Sequence, residues 1–278
     1  MTSTKNTVLL DVQGLEDTRG VALQQAGIKN VKMPLQILQK NGQRQHVQAS
    51  ATMSVGLTAT EKGTHMSRFV IQLNQWGDGP VVSINLAEFL TEMKTRLNAE
   101  TARTVFQFDY FIEREAPVSG LSAKMAYPCT LKGQIRQDNT CETILSLVVP
   151  CATLCPCSKA ISDYGAHNQR AAIKADLVLD PSLNETHPVV WIEDVVHGLE
   201  SQSSCPVYPL IKRVDEKFIT EKAYETPKFV EDVARDAVLF LQQYPGVTGF
   251  HLEVEAFESI HAHNAWAMHR ENFISSVV

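Results

Sequence analysis

The chain lacks the marks of a membrane-spanning, secreted or nucleic-acid-binding protein. Its 278 residues contain no apolar run near the roughly 20 residues that a membrane span needs. The first eleven residues hold only three consecutive apolar side chains, too few for a signal peptide. Acidic residues (31) outnumber basic ones (25), and the net charge of −6 argues against broad binding to nucleic acid or anionic membranes. We therefore expect a cytoplasmic protein that keeps its thiols reduced.

Low-complexity segments and a biased composition are also missing. Forty-four per cent apolar and 20% charged residues is the ordinary balance of a globular protein, which excludes a fibre or a disordered chain. A chain of 278 residues can form one large domain or two of ordinary size. A local basic pocket can sit on an acidic protein, so the net charge leaves a phosphorylated small molecule open as a ligand.

Cysteine is scarce, yet three of the six cysteines fall within the seven residues Cys151–Cys157. A hydrophobic strand predicted over Thr143–Val149 runs into this segment, and Pro150 is expected to end it. The polar stretch that follows carries His167. A strand that delivers thiols and an imidazole into a loop is a common support for a metal or nucleophile site. A structural zinc knot and a redox pair are the alternatives that these residues leave open.

The first half of the chain has the pattern of a small α+β unit. Asn-Gly within Lys40–Gly42 predicts a hairpin between two strands over residues 31–56. Apolar residues at helical spacing predict a helix over Leu86–Leu97, begun by a capping box of Asn85 and Glu88. Strands follow over Val105–Ile112, where alternate residues are apolar, and over 123–136.

The second half repeats this order loosely. The predicted elements are strands over 143–149 and 171–179, a helix near 189–199, a helix capped by Thr226, and a strand over 249–256. Phe229 and Val230 begin the predicted buried face of the second helix. The doubled pattern predicts an α+β fold with antiparallel sheets and helices on one face. We divide the chain into an irregular arm (1–28) and two modules (29–138 and 139–278).

Several polar residues have an ordinary structural explanation when each is taken alone. Glu216 and Glu231 can be solvated helix acids, His261 a loop histidine, and Arg68 a surface cation. Asp232, next to Glu231, is expected to face solvent. Taken together, the thiol, imidazoles and carboxylates form a mixed sulfur, nitrogen and oxygen set that would suit a borderline divalent ion such as zinc.

Longer motifs, spread in order along the chain, resemble one family. They are Asp11–Gln13, Lys62–Arg68, Leu154–Lys159, Tyr164–Arg170, Lys212–Lys217, Thr220–Tyr224, Pro227–Asp232 and Glu258–His261. Together they resemble the signature of the type IB GTP cyclohydrolases, the prokaryotic alternative to the better-known type I enzyme. The resemblance implies two tunnelling-fold modules per chain and a homotetramer with active sites at subunit interfaces. It also implies hydrolysis of GTP, with water, to formate and 7,8-dihydroneopterin triphosphate, the first step towards folate and queuosine.

The resemblance also implies roles for individual residues. Cys155, Glu216, Glu258 and His261 match the metal-site positions, and the family tolerates zinc, manganese or iron. Glu231 matches the acid that holds the guanine base. His167 matches a histidine implicated in catalysis beside Cys155, and we assign it the general-acid role, with His263 as the less favoured choice. The basic candidates for the triphosphate are His65, Arg68, Lys159, Lys212 and Arg213.

Two other functions are weighed against this one. The first is the nitrile reductase of queuosine synthesis, another tunnelling-fold enzyme, whose glutamate-serine-plus-lysine signature is missing here. The second is a zinc-stabilised interaction module held by Cys151, Cys155, Cys157 and Cys205. That module explains the thiols but leaves Glu216, Glu231 and the Glu258–His261 motif without a role.

Overall fold

A computed structural model describes residues 10–76, 86–182 and 190–273. Its strands are β1 (Leu23–Leu38), β2 (Arg44–Leu57), β3 (Ala102–Glu115), β4 (Ser122–Ile135), β5 (Cys141–Leu154), β6 (Asn168–Leu179), β7 (Cys205–Pro206), β8 (Val247–Ala256) and β9 (Ala265–Glu271). Its helices are α1 (Met66–Trp76), α2 (Leu86–Arg96), α3 (Pro156–Ile161), α4 (Ile192–Glu200), α5 (Arg213–Glu225) and α6 (Val230–Gln242). None of these helices is long and apolar enough to cross a membrane.

All nine strands of the described residues join one antiparallel sheet. Eight of them lie in the order β1-β2-β3-β4-β5-β6-β8-β9, and the short β7 pairs with the end of β5. Alternate residues of β3 are buried, including Phe106, Phe108 and Tyr110, which is the face that the alternation predicts. Helices α2, α4 and α6 pack against the sheet. The predicted fold class, α+β with antiparallel strands and helices on one face, is confirmed.

The hairpin predicted at Lys40–Gly42 is present, but β1 begins earlier than the sequence predicts. It starts at Leu23, inside the predicted irregular arm, and Leu23 pairs with Leu57 of β2. The pairing is interrupted by register shifts, and Asn30 takes a positive φ of 60°. Most side chains over 23–30 are exposed. Because this part of β1 has little buried face, it has no apolar alternation from which a strand could be predicted.

The expectation that Pro150 ends its strand is wrong. β5 continues through Pro150 to Leu154, and Pro150 lies opposite Ala172 of β6. On its other side β5 pairs with β4 only as far as Leu147, and β7 pairs from Cys151 onwards. Pro150 therefore lies in the gap between two neighbours, where a missing backbone N–H disrupts no ladder.

Three helices were not predicted. α3 and only the first residues of α1 lie within segments that we interpreted as polar motifs, the rest of α1 has no predicted element, and α5 spans most of two motifs of the resemblance. The reason is clearest in α5, whose only buried residues are Asp215 and Ala223. A helix that is held by a buried carboxylate, with almost no apolar stripe, gives no helical period in the sequence.

The start of α6 differs from the prediction. Thr226 is the last residue of the α5 turn, its backbone N–H bonded to Lys222, and α6 begins at Val230. Phe229 precedes α6 and is exposed instead of buried. Asp232 does not simply face solvent, because its carboxylate accepts a hydrogen bond of 3.0 Å from the Phe229 N–H. As the third residue of α6, Asp232 thus forms part of a capping box at the start of the helix that carries Glu231.

The remaining predicted elements lie close to their observed positions, within the limits of the described residues. α2 and α4 occupy the predicted helices, although the proposed cap Asn85 and residue 189 lie outside the described ranges and α4 begins only at Ile192. Gly198 of α4 lies directly under the Phe240 ring of α6, where a Cβ would come within 2.0 Å of a ring atom. The predicted module boundary falls in the β4–β5 turn, inside one continuous sheet, and the two-module division stays a prediction.

Candidate active site

A pocket of about 250 Å³ lies at one end of the sheet, where β5 ends and β6 begins. It is lined by side chains from four parts of the chain. Five predicted site residues are among them: Cys155, His167, Glu231, Glu258 and His261. His263, Thr153, Gln169, Lys228, Phe229, Val230 and Ala265 complete the lining. The volume is below the about 300–1,000 Å³ of pockets that enclose a drug-sized ligand, so it suits a purine base better than a whole nucleoside triphosphate.

Cys155 is placed by the turn that joins β5 to α3. Its N–H donates to the His167 carbonyl at 3.1 Å, directly after the last β5–β6 pair, Leu154 with Asn168. Ser158 fixes the same turn: its N–H donates to the Cys155 sulfur at 3.4 Å and its hydroxyl to the Cys155 carbonyl at 3.1 Å. The thiol is half-buried beside the start of β6.

His167 lies across that turn and has a hydrogen-bonded ring. Its backbone N–H donates to the Ser158 hydroxyl at 3.2 Å. Its Nδ1 lies 3.0 Å from the Gln169 side-chain oxygen and 3.5 Å from the Ser259 hydroxyl. The Gln169 amide nitrogen reaches Thr153 Oγ1 at 3.1 Å and Glu258 Oε1 at 3.3 Å. Gln169 therefore connects the imidazole to the Glu258 carboxylate, which lies 89 residues after Gln169 in sequence.

Glu231 reaches the pocket because the segment before α6 is held against the end of β5. The Lys228 N–H donates to the Leu154 carbonyl at 3.1 Å. The Lys228 ammonium is bound by the Gln202 carbonyl at 2.7 Å and by Asp236 at 2.8 Å. Glu231 follows in the first turn of α6, at the boundary between this pocket and a neighbouring apolar groove along β9.

The β8–β9 loop supplies Glu258, His261 and His263. The Phe257 N–H donates to the Arg170 carbonyl at 2.9 Å, which holds the start of the loop beside β6. Glu258 is half-buried, whereas His261 and His263 are exposed and stack on each other with ring centres 5.1 Å apart. These three side chains thus line the same pocket as Cys155.

Glu216 and Lys212, both predicted site residues, do not line this pocket. Glu216 is an exposed residue in the first turn of α5, and Lys212 precedes that helix. The buried acid at this position is Asp215, which is fully inaccessible. Its burial alone would raise its pKa, but hydrogen bonds from Ser119, Lys212 and Val118 outweigh burial and lower the pKa below the ordinary value.

His65 and Arg68, the predicted triphosphate residues of the first half, lie at the other end of the sheet. They follow the far end of β2, which runs antiparallel away from the pocket end. His65 Nε2 is 3.2 Å from Asp11, and Arg68 donates to the Arg96 carbonyl at 3.2 Å. Lys159 is held above the Tyr224 ring, 4.3 Å from its centre, and donates to the Tyr224 carbonyl. Within one chain, His65 and Arg68 therefore do not meet Glu231.

The fit of a divalent metal is partial within a single chain. The donor types are right, since thiolate, imidazole and carboxylate are ligands of borderline divalent ions. However, the described residues include no group of three or more His, Cys, Asp or Glu side chains that could hold a metal ion. Cys155, Glu216, Glu258 and His261 are all described and do not form such a group, nor do the four cysteines of the zinc-module alternative. The ligand assignment stays a prediction.

Sequence reasoning missed Gln169, Thr153 and Lys228 as pocket residues. Gln169 lies inside one of the motifs quoted above, but a glutamine in a polar segment has no chemical signal of its own. Thr153 is buried in β5, the strand that was expected to end at Pro150. In a strand, every second side chain lies on the same face. Had β5 and β6 been extended to this end of the sheet, that rule could have identified Thr153 and Gln169 as pocket residues.

A model of the type I GTP cyclohydrolase FolE2 family matches residues 9–267 of this chain. The chain belongs to that family. GTP cyclohydrolase FolE2 of Azoarcus sp. (strain BH72) is 45% identical over 258 residues, 93% of each chain. FolE2 of Syntrophotalea carbinolica is 44% identical over 258 residues, again 93% of each, and FolE2 of Thermosipho africanus is 44% identical over 257 residues, 92% of this chain and 96% of the relative.

Solved structures of lower similarity agree on the fold of this FolE2 family member. A uricase from Bacillus fastidious has a TM-score of 0.51 at 9% identity and covers 90% of this chain and 93% of its own. A mutant urate oxidase of Bacillus sp. TB-90 has a TM-score of 0.52 at 11% identity and covers 90% and 99%. At such identities the likeness concerns the fold alone, and it is consistent with a tunnelling fold.

Proposed function

We propose that this protein is a GTP cyclohydrolase. It hydrolyses the imidazole ring of the guanine in GTP, releases formate and yields 7,8-dihydroneopterin triphosphate, the first step of folate synthesis. The supporting observation is the single pocket that brings Cys155, His167, Glu231 and Glu258 together from distant parts of the chain. Membership of the FolE2 family over residues 9–267 supports the same reaction. The narrower type IB assignment and a role in queuosine synthesis belong to this proposal.

Glu231 is proposed to select guanine. A carboxylate at the mouth of the pocket can accept hydrogen bonds from N1–H and the 2-amino group of guanine together, a pair of donors that adenine does not present. A site built around that acceptor leaves a carboxylate unmatched when ATP enters, so discrimination against ATP should be large. The pocket volume of about 250 Å³ is suited to the base, and leaves the triphosphate outside it.

His167 is proposed to move protons to the purine nitrogens as the C–N bonds break. Its ring lies in the same pocket as Cys155 and Glu231. We propose Cys155, Glu258, His261 and Glu216 as ligands of a divalent ion, zinc, manganese or iron. When bound, that ion supplies hydroxide near neutral pH by lowering the pKa of a water molecule.

We further propose that the working site is shared between copies of this chain in a homo-oligomer, with a tetramer as the expected assembly. The ligand set is not assembled within one described chain, and His65 and Arg68 lie at the far end of the sheet from Glu231. Large apolar side chains surround the pocket end: Ile161 is 84% exposed, Tyr164 fully exposed and Ile260 63% exposed. A second copy of the chain seated at this end would remove these side chains from water, which would stabilise the assembly.

One assay tests the reaction. Purified protein is incubated with GTP and a divalent metal, the product is oxidised, and neopterin fluorescence is measured. Fluorescence with GTP and none with ATP is the expected result. In a second assay, consumption of NADPH with a nitrile substrate would favour the reductase. Neither neopterin fluorescence nor NADPH consumption would favour an interaction module. A cytoplasmic location, expected from the sequence, is part of this proposal.

A further inference from the structure

We infer that Gln169 is a positioning residue that keeps the His167 ring in one tautomer. In that tautomer the proton is on Nδ1, and Nε2 is the atom that exchanges a proton in the pocket. This inference rests on the proposed cyclohydrolase function for its catalytic meaning, but the pairing of the two side chains is a property of the protein alone.

The orientation of the Gln169 amide follows from its neighbours. One end of the amide lies 3.3 Å from Glu258 Oε1 and 3.1 Å from Thr153 Oγ1, and the other end lies 3.0 Å from His167 Nδ1. An ionised carboxylate only accepts hydrogen bonds, so the NH₂ group of Gln169 must face Glu258. If the amide were reversed, its carbonyl oxygen would lie against the Glu258 oxygen, and two acceptors would meet without a proton between them.

The state of the His167 ring follows from that orientation. With its NH₂ group committed to Glu258 and Thr153, Gln169 presents its carbonyl oxygen to Nδ1. Nδ1 must then carry the proton and donate it. The Ser259 hydroxyl lies 3.5 Å from the same nitrogen, at the outer limit of a hydrogen bond. It can rotate either to donate to Nδ1 or to accept from it, so it does not select a tautomer. Among the described residues, the hydrogen bonds of this ring all involve Nδ1, so Nε2 stays available to a substrate in the pocket that His167 lines.

The consequence for catalysis is a fixed site of proton exchange. The nitrogen of a histidine that carries the proton is decided by the hydrogen bond of the other nitrogen. In this tautomer Nε2 first accepts the proton that the attacking water loses, and the imidazolium then delivers it from the same ring atom to a purine nitrogen. Gln169 holds the imidazole through one end of its amide and the Glu258 carboxylate through the other, so it also fixes the separation of these two groups, as an outer-shell residue does around many sites.

The pairing is tested by nitrogen NMR of the full-length protein labelled with ¹⁵N-histidine, without metal or GTP. The spectrum is recorded near pH 8, above the ordinary histidine pKa of about 6.5, and His167 is assigned with His167→Gln. We expect a protonated Nδ1 and an unprotonated Nε2. Gln169→Met keeps the length of the side chain but removes the amide, and should shift the proton partly or wholly to Nε2. Gln169→Glu combined with Glu258→Gln keeps an acceptor for Nδ1 and moves the amide donor to position 258, so this double variant should retain the original tautomer.

Asn168→Met, one residue earlier and on the opposite face of β6, is the matched control and should leave the His167 signals unchanged. A wild type with its proton on Nε2, or a Gln169→Met protein with an unchanged ring, would overturn the inference. If Gln169→Met does not fold, the double variant Gln169→Glu with Glu258→Gln decides: a proton that moves to Nε2 in this variant also overturns the inference.

The second part of the test measures steady-state kinetics of the metal-loaded enzyme with GTP. Gln169→Met should lower kcat by about 10- to 100-fold, the usual effect of losing an outer-shell partner, while KM for GTP changes by less than about threefold because Glu231 still holds the base. A wild type that produces no neopterin contradicts the proposed function and leaves the NMR result intact. An active wild type together with an equally fast Gln169→Met variant contradicts the present inference alone.

Discussion

Asp215 and Ser119 are separated by 96 residues, yet two hydrogen bonds join them: the Ser119 N–H donates to Asp215 Oδ1 at 2.8 Å and the Ser119 hydroxyl to Oδ2 at 2.6 Å. The same carboxylate accepts from the Lys212 N–H at 2.8 Å, which begins α5. The β3–β4 turn is thereby tied to the helix that carries Glu216. Sequence reasoning directed attention to Glu216, but Asp215 is the residue that sets where Glu216 lies.

The first prediction concerns Asp215 and pH. Since the pKa of Asp215 is lowered in the folded protein from its ordinary value of 3.8, its ionised form stabilises the fold. That contribution is complete above the ordinary value and is lost as the pH falls below it. Asp215→Asn should therefore lower the free energy of unfolding at pH 7, with a smaller difference from wild type below about pH 4. Urea unfolding at several pH values measures this, and a difference that stays constant with pH would contradict it.

The second prediction compares three cysteines. Cys155→Ala should leave less than about a tenth of the wild-type kcat, a loss above about 1.4 kcal/mol, with the fold intact because the thiol is only half-buried. Cys151→Ala and Cys205→Ala should affect turnover mildly. Burial raises the pKa of Cys151 to about 12, so this side chain stays a neutral thiol in the core. Steady-state kinetics together with circular dichroism separate the two effects, and a Cys155→Ala enzyme with normal kcat would exclude the ligand role.

The third prediction uses two neighbouring acids of α6. Glu231→Gln should lower kcat/KM for GTP by about a hundredfold or more, because one acceptor becomes a donor that faces the N–H groups of the purine. Metal content should not change. Asp232→Ala is the control: it should spare turnover but cost about 0.5–1.5 kcal/mol of stability, because the Phe229 N–H loses its hydrogen-bond acceptor. If Glu231→Gln emptied the protein of metal, Glu231 would be a ligand and its assignment to the base would be wrong.

The fourth prediction tests the shared site. Cys155→Ala and His65→Ala, each inactive alone, should regain activity when the two proteins are mixed and allowed to exchange subunits, because a mixed assembly contains sites with both residues intact. Arg68→Ala serves as a second partner, although it also removes the hydrogen bond from Arg68 to the Arg96 carbonyl. Activity should fall on dilution to monomer, which sedimentation at matched concentrations measures. A monomer with full activity would refute the interface.

The elements that could be predicted are those in which neighbouring residues along the chain carry the signal. Phe106, Phe108 and Tyr110 alternate in sequence and are buried on one face of β3, and Asn-Gly marks the β1–β2 turn. α5 could not be predicted, because its stability depends on the Asp215 carboxylate meeting a turn nearly a hundred residues away. The prediction that Pro150 ends its strand was wrong for a similar reason, because whether a proline ends a strand depends on where the partner strands pair.

The sequence by itself determined the fold class, the family and the types of group available for chemistry, since alternation, turn residues and ordered motifs are all properties of the linear chain. Only the tertiary structure decided which of these groups meet. The register of β5 against β6 places Thr153 beside Gln169, and the β8–β9 loop brings Glu258 to the same amide. His65 and Arg68 share the family motifs but lie at the other end of the sheet. Side chains distant in sequence come together through strand pairing and loop paths, and a one-residue change of register would direct every such side chain to the opposite face.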